Sequence, residues 1–337
     1  MIKSIFWNGH DHRLRALWRL LLFGVLLIVS TLVLTILLGM FLSFVVEALA
    51  AEAGTLGPVS TLLTLLTTLF SVWVAGRFLD RRRFADFGFR LSRRWWLDFG
   101  FGLALGAVLM LGIFLVELAA GWITITGTFQ TAQPGQSFAL ALLTPIVVFL
   151  AVGFYEELLN RGYFLQNLAE GLNFRFIGPR GAVVLGWIIS SALFGFYHAA
   201  NPNATVTSSV NIAIAGLFLG LGYVLTGELA LPIGLHITWN FFQGIGFGFP
   251  VSGIDFSHVN FIAISQGGPD LWTGGAFGPE AGLMGILAMV AGSLLILGWV
   301  RWRRGRISFA LTIPEPPRGV MAVARPAGAG ESEPLGE

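Results

Sequence analysis

Two adjacent carboxylates stand at the end of an apolar run, where Tyr155-Glu156-Glu157-Leu158-Leu159-Asn160-Arg161 directly follows Leu140 to Phe154. An ionisable side chain at bilayer depth costs at least about 2.5–3.5 kcal/mol on insertion scales, so each one inside a span demands a partner or a task. On a helix Glu157 and Arg161 are four apart with the acid N-terminal, the favourable orientation for a pair. Glu156 points about 100° away and shares its face with Asn160. One glutamate is thereby neutralised while the other stays available. The same residues would also serve as an interfacial charge cluster where a helix leaves the membrane, and this stretch alone does not separate the two readings.

Of five histidines, His10, His12 and His258 lie outside the predicted spans. His198 closes the apolar stretch that begins near Gly181, in Phe194-Gly195-Phe196-Tyr197-His198. His236 lies in Leu231-Pro232-Ile233-Gly234-Leu235-His236-Ile237-Thr238-Trp239-Asn240, four residues before Asn240 and so on one helix face with it. Each could be a structural hydrogen-bonding group of the kind helix bundles use. A carboxylate, two imidazoles and an amide converging in one bundle would instead suit activation of a water and stabilisation of an oxyanion.

The elements that must position these groups are hydrophobic helices. The chain of 337 residues is 55% hydrophobic and 11% charged, with a mean hydropathy of +0.78. Soluble domains carry about a quarter charged residues. Segments long enough to cross the roughly 30 Å hydrocarbon core lie at about 16–46, 57–78, 99–120, 139–168, 181–200, 206–226, 229–249 and 281–300, predicting an all-α polytopic membrane protein with eight crossings. Basic residues at Lys3 to Arg15, Arg77 to Arg94, Arg175 to Arg180 and Arg301 to Arg306 fall in loops of one parity. Such loops stay in the cytoplasm, so both termini are expected there, in the plasma membrane of a prokaryotic cell. The same clustering between spans speaks against nucleic-acid binding despite a pI near 9.4. With no cysteine, disulfides, a thiolate nucleophile and cysteine-ligated zinc are excluded. The expected organisation is a cytoplasmic segment over 1–15, a transmembrane domain over 16–306 and a disordered cytoplasmic tail over 307–337. The Gly-, Ser- and Asp-rich segment from Val251 to Pro279 reads as an outer loop.

Three elements in order give a resemblance. Glu156-Glu157-Leu158-Leu159-Asn160-Arg161 is similar to a Glu-Glu-x-x-x-Arg motif, Phe194 to His198 to Phe-x-x-x-His, and His236 to Asn240 to His-x-x-x-Asn. Together they resemble the CPBP or Abi membrane proteins, which include the type II CAAX prenyl endopeptidases, over roughly residues 139–250. The resemblance implies an intramembrane endopeptidase acting on a membrane-associated peptide or protein, with a prenylated CAAX-type segment as one candidate. It implies that Glu156 polarises the attacking water with His198 as its partner. His236 and Asn240 hold the oxyanion or position the water, and Glu157 and Arg161 support the helix. It leaves the cofactor open: a divalent metal such as zinc would take Glu156, His198 and His236 as ligands. A proton-coupled transporter and a non-catalytic scaffold or immunity protein of the same fold remain alternatives. Measured along each apolar stretch, Glu156 falls in the inner half and His198 near the outer end. The reading therefore expects tilted or broken helices, with Pro145 and Pro202 as candidate breaks.

Overall fold

The computed structural model describes residues 3–9, 11–46, 56–133, 135–256 and 258–317. The chain begins with α1 (Lys3–Phe6) and a hairpin of two short strands, β1 (Trp7–Asn8) and β2 (Arg13–Leu14). Next come α2 (Ala16–Val46), α3 (Leu56–Ala75), α4 (Arg93–Ala119) and β3 (Ile123–Thr131). The central part comprises α5 (Phe138–Glu157), α6 (Gln166–Gly171), α7 (Gly178–His198), α8 (Val206–Thr226) and α9 (Ala230–Phe241). It ends with β4 (Val259–Gln266), α10 (Asp270–Thr273) and α11 (Leu283–Arg304). The protein is an all-α polytopic membrane protein, as its composition predicts, with a small β-ribbon at one end.

Seven helices among the described residues are long and apolar enough to cross a bilayer. The eighth expected crossing, 229–249, is instead the 12-residue α9 continued by π-helical turns at Phe242–Gly246. At about 1.5 Å per residue these 17 residues rise roughly 25 Å. They pass through the body enclosed by α4, α5 and α8 and never face lipid as a full-length span. Close approach makes this possible. A Cβ at Gly102 of α4 would collide with the Leu231 carbonyl, and one at Gly234 of α9 with the Phe99 carbonyl, so both backbones need glycine where they cross.

The connections sort into two ends. At the first, the Leu229 amide donates to Gly88 O (3.0 Å) and the Ala310 amide to Val224 O (2.8 Å). Arg13 and Arg19 each reach Glu170 Oε1 at 2.6 Å, Arg82 reaches Glu170 Oε2 at 2.9 Å, and Arg19 pairs with Asp80 at 2.9 Å. This buried ion network ties the N-terminal hairpin to α2, to the loop after α3 and to α6. The first eleven residues of the expected disordered tail, 307–317, are docked here: Ile313 is buried, and the Glu315 carbonyl accepts from Arg82. Residues 318–337 lie outside the described residues. At the second end, β3 and β4 pair antiparallel, so the segment after α4 and the loop expected at 251–279 meet as a two-stranded ribbon.

The expected mismatch in depth disappears because α7 sits low against an unusually long strut. α5, the π-helical turns Leu158–Leu165 and α6 run continuously over 34 residues, which puts Glu156 near the middle. α7 runs antiparallel to this strut, with Gly186 against Leu165 and Ala169. Twelve residues further along, His198 has risen about 18 Å, back to the level of Glu156. Pro145 lies inside α5 without ending it. The irregularity comes at the π-helical turns, where Asn160 Nδ2 donates to Glu156 O at 2.9 Å, a side chain inserted into the helical ladder.

Candidate active site

Glu156, His198, His236 and Asn240 all line one cavity of about 1020 Å³ in the middle of the bundle. α5 contributes Glu156 from its last turn, α7 contributes His198 from its C-terminus, and α9 contributes His236 and Asn240 from successive turns of one face.

Glu157 turns away from the cavity and is fully buried. Its Oε1 accepts from Arg161 Nη1 at 2.9 Å and from His236 Nδ1 at 2.8 Å. Arg161 donates through Nη2 to Gly216 O of α8 at 2.9 Å and lies with its Cζ 4.7 Å over the Phe194 ring. The guanidinium holds Glu157 as a carboxylate, an acceptor only, so His236 Nδ1 carries the proton. In the neutral ring His236 Nε2 is then a lone pair, and it faces Glu156 Oε2 at 3.9 Å. That Glu156 oxygen is buried and has no hydrogen-bond partner among the described residues. Its Oε1 lies 3.5 Å from the Tyr155 hydroxyl.

Two acceptors 3.9 Å apart cannot bond each other directly. A water beside them, with legs of about 2.8 Å, would subtend roughly 90° and donate one proton to each. The imidazole within reach of Glu156 is thus His236, whereas the resemblance pairs that acid with His198. His198 fixes its own tautomer separately: Nδ1 lies 2.8 Å from the Phe194 carbonyl, which can only accept, so in the neutral ring its Nε2 also bears a lone pair. Asn240 makes no side-chain hydrogen bond within the described residues, which leaves its amide available to a ligand.

A carboxylate and two unprotonated imidazole nitrogens are the donor types that zinc takes. Among the described residues, however, no three carboxylate or imidazole groups come close enough together to hold a metal ion. The donors fit such an ion by type and not by spacing.

Other groups complete the cavity, and of these the Phe-x-x-x-His motif marks Phe194 in the sequence. Phe194 touches both imidazoles, with ring centroids 4.6 Å from His198 and 6.2 Å from His236. The roof is built by the loop after α9. Ser252 donates through its amide and hydroxyl to Glu280 Oε1 (2.5 and 3.1 Å), Gln243 donates to Glu280 Oε2, and Asn201 beyond α7 donates to Ser252 O at 2.9 Å. Burial pushes the Glu280 carboxyl up to about 7, against the opposing hydrogen bonds from Ser252 and Gln243. Adjacency in sequence could have flagged Tyr155. Glu280 sits in an irregular loop without periodicity and offers no comparable sign.

Residues 138–242 match the family model described as type II CAAX prenyl endopeptidase Rce1-like. No curated protein and no solved structure matches the chain. The matched segment runs from the start of α5 to the end of α9 and contains every residue that the motifs single out. Over residues 138–242 the chain is accordingly similar to the Rce1-like type II CAAX prenyl endopeptidases, within an integral membrane protein.

Proposed function

We propose that the protein is an intramembrane endopeptidase that hydrolyses a peptide bond in a membrane-associated substrate. The observation that carries this reading is Glu156 Oε2 and His236 Nε2 facing one another across 3.9 Å at the floor of a central cavity, an acceptor pair when the imidazole is neutral. A water held between them gives a proton to Glu156 as its oxygen attacks the scissile carbonyl carbon. Glu157 holds His236 in the tautomer that keeps Nε2 open, so the imidazole orients the water. The new oxyanion takes a hydrogen bond from the Asn240 amide. A neutral His198 cannot supply that bond, because its ring proton is committed to Phe194 O. His198 instead accepts, from a substrate N–H or from the proton moving toward the leaving amine. As the C–N bond breaks, the proton on Glu156 passes to the departing nitrogen, and the carboxylate is restored.

The arginine clusters support a cytoplasmic position for the end bearing Arg13, Arg82, Arg175 and Arg304, and with it for both termini. Reporters fused at Ser137 and at the C-terminus should therefore report opposite sides of the membrane; agreement would overturn the orientation. The catalytic reading is tested with purified protein and membrane peptides in ¹⁸O-water. Cleavage should place the isotope in the new carboxyl terminus. Intact peptides, together with substrate-driven solute flux in proteoliposomes, would favour a transporter instead. The fully buried Leu158, Tyr163 and Leu231 below the site argue against such a through-route.

A further inference from the structure

The lining of the cavity extends toward one end of the bundle. Its lining climbs α5 along a single stripe through Val152, Val148, Thr144 and Ala141, and continues to Gln136 and Gln133 near the ribbon. Across from this stripe stand Tyr197, Asn201, Asp255 and His258, again at the ribbon end. Among the described residues, nothing that lines the cavity comes from the arginine-bearing end. Below Glu156 the body is solid: Leu158, Tyr163, Leu165 and Leu235 have no exposure. The Glu157–Arg161 pair seals the centre at 0% and 1% exposure. α7 meets the long strut along its lower part, 158–171, and leaves the upper half of α5 to face the cavity.

We infer that substrate reaches the site from the ribbon end, so that the scissile segment belongs to a protein on the extracytoplasmic side of the membrane. The inference rests on the endopeptidase reading for what the substrate is, on the cavity for the end it comes from, and on the arginine placement for which side of the membrane that end faces. Ala141 to Glu156 spans 15 residues of helix, about 22 Å, which is the length of roughly six or seven residues of extended peptide. The site therefore takes an unfolded, largely apolar stretch lying against α5, as in the flank of an exported or outer-leaflet-anchored protein. A C-terminal tail tethered to the cytoplasmic leaflet would meet the closed end.

The absence of cysteine makes the test direct. Thr144→Cys lies on the cavity wall outside the catalytic groups, and Arg175→Cys marks the exposed basic end. With a membrane-impermeant thiol reagent, right-side-out vesicles should label Thr144→Cys and spare Arg175→Cys; inside-out vesicles should do the opposite. Labelling of both positions from one side overturns the inference, as does failure of Thr144→Cys to label from either side while it labels after denaturation. A second measurement places one peptide segment on either flank of a single-span reporter co-expressed with the wild-type protein. Cleavage should occur only at the outer flank, and cleavage at the inner flank overturns the inference. If neither reporter is cut while Thr144→Cys still labels from outside, the peptidase reading fails and the direction of access stands.

Discussion

Glu156→Gln should lower turnover by about 10²–10⁴-fold, the usual contribution of a positioned general base, while the protein folds as well as the wild type. Glutamine keeps the size of the side chain and still accepts a hydrogen bond, but it cannot take a proton from water. The unchanged folding follows from the surroundings of the carboxylate: Oε2 has no hydrogen-bond partner among the described residues, and the side chain opens onto the cavity at 18% exposure. Removing this charge leaves no partner stranded. The measurement is single-turnover cleavage of a peptide that the wild type cuts, beside the thermal midpoint in detergent. Activity within a factor of a few of wild type, in protein of equal stability, would remove Glu156 from the centre of the mechanism.

The second large effect is expected one residue further on, with a different signature. Glu157 is fully buried between Arg161 and His236. Glu157→Gln leaves the guanidinium without its counter-charge in a site of 1% exposure. Breaking a buried pair by removing one partner costs about 3–5 kcal/mol. A glutamine can also present either its oxygen or its amide to His236 Nδ1, so the tautomer that keeps Nε2 open is no longer enforced. Turnover of the folded fraction should fall by at least about 10-fold, in line with other losses of an imidazole's orienting partner. The double variant Glu157→Gln/Arg161→Met separates the two effects. Replacing both charges by groups of similar volume is often neutral for stability, so folded yield should recover while turnover stays low. Recovery of both would make the pair purely structural, and loss of neither would deny the geometry around His236.

These contrasting roles for neighbouring glutamates were partly legible from spacing. The four-residue interval to Arg161 assigned Glu157 to a partner and left Glu156 available, because helical geometry fixes which side chains share a face. His236 and Asn240 came out on one face by the same rule. That Glu157 also bridges to His236 was not legible, because the two are 79 residues apart on different helices. The choice of His236 over His198 as the imidazole beside Glu156 likewise depends on how α5, α7 and α9 are set against one another.

The β-ribbon was overlooked for a local reason. Ile123-Thr124-Ile125-Thr126 alternates β-branched residues in a strand-like way. Its pairing partner begins at Val259, however, on the far side of five intervening helices, and a short isolated strand carries little signal. α9 misled in the opposite sense. Its apolar residues over 229–249 read as a span because composition counts hydrophobicity, whereas protein rather than lipid buries them.

By itself the sequence determined the solvent of this protein, the type of its elements and the polar groups that its helices bring to the cavity. Hydropathy, arginine placement and helical spacing are local quantities, and they act through the bilayer and the 3.6-residue turn regardless of what packs nearby. Tertiary structure alone decided the depth of each helix, the partner that each imidazole Nδ1 meets and the end toward which the cavity lining runs. Those depend on registers such as Gly186 against Leu165 and Ala169, and on hydrogen bonds such as that from His236 to Glu157. Such contacts join residues far apart in the chain, and no interval read along one helix can encode them.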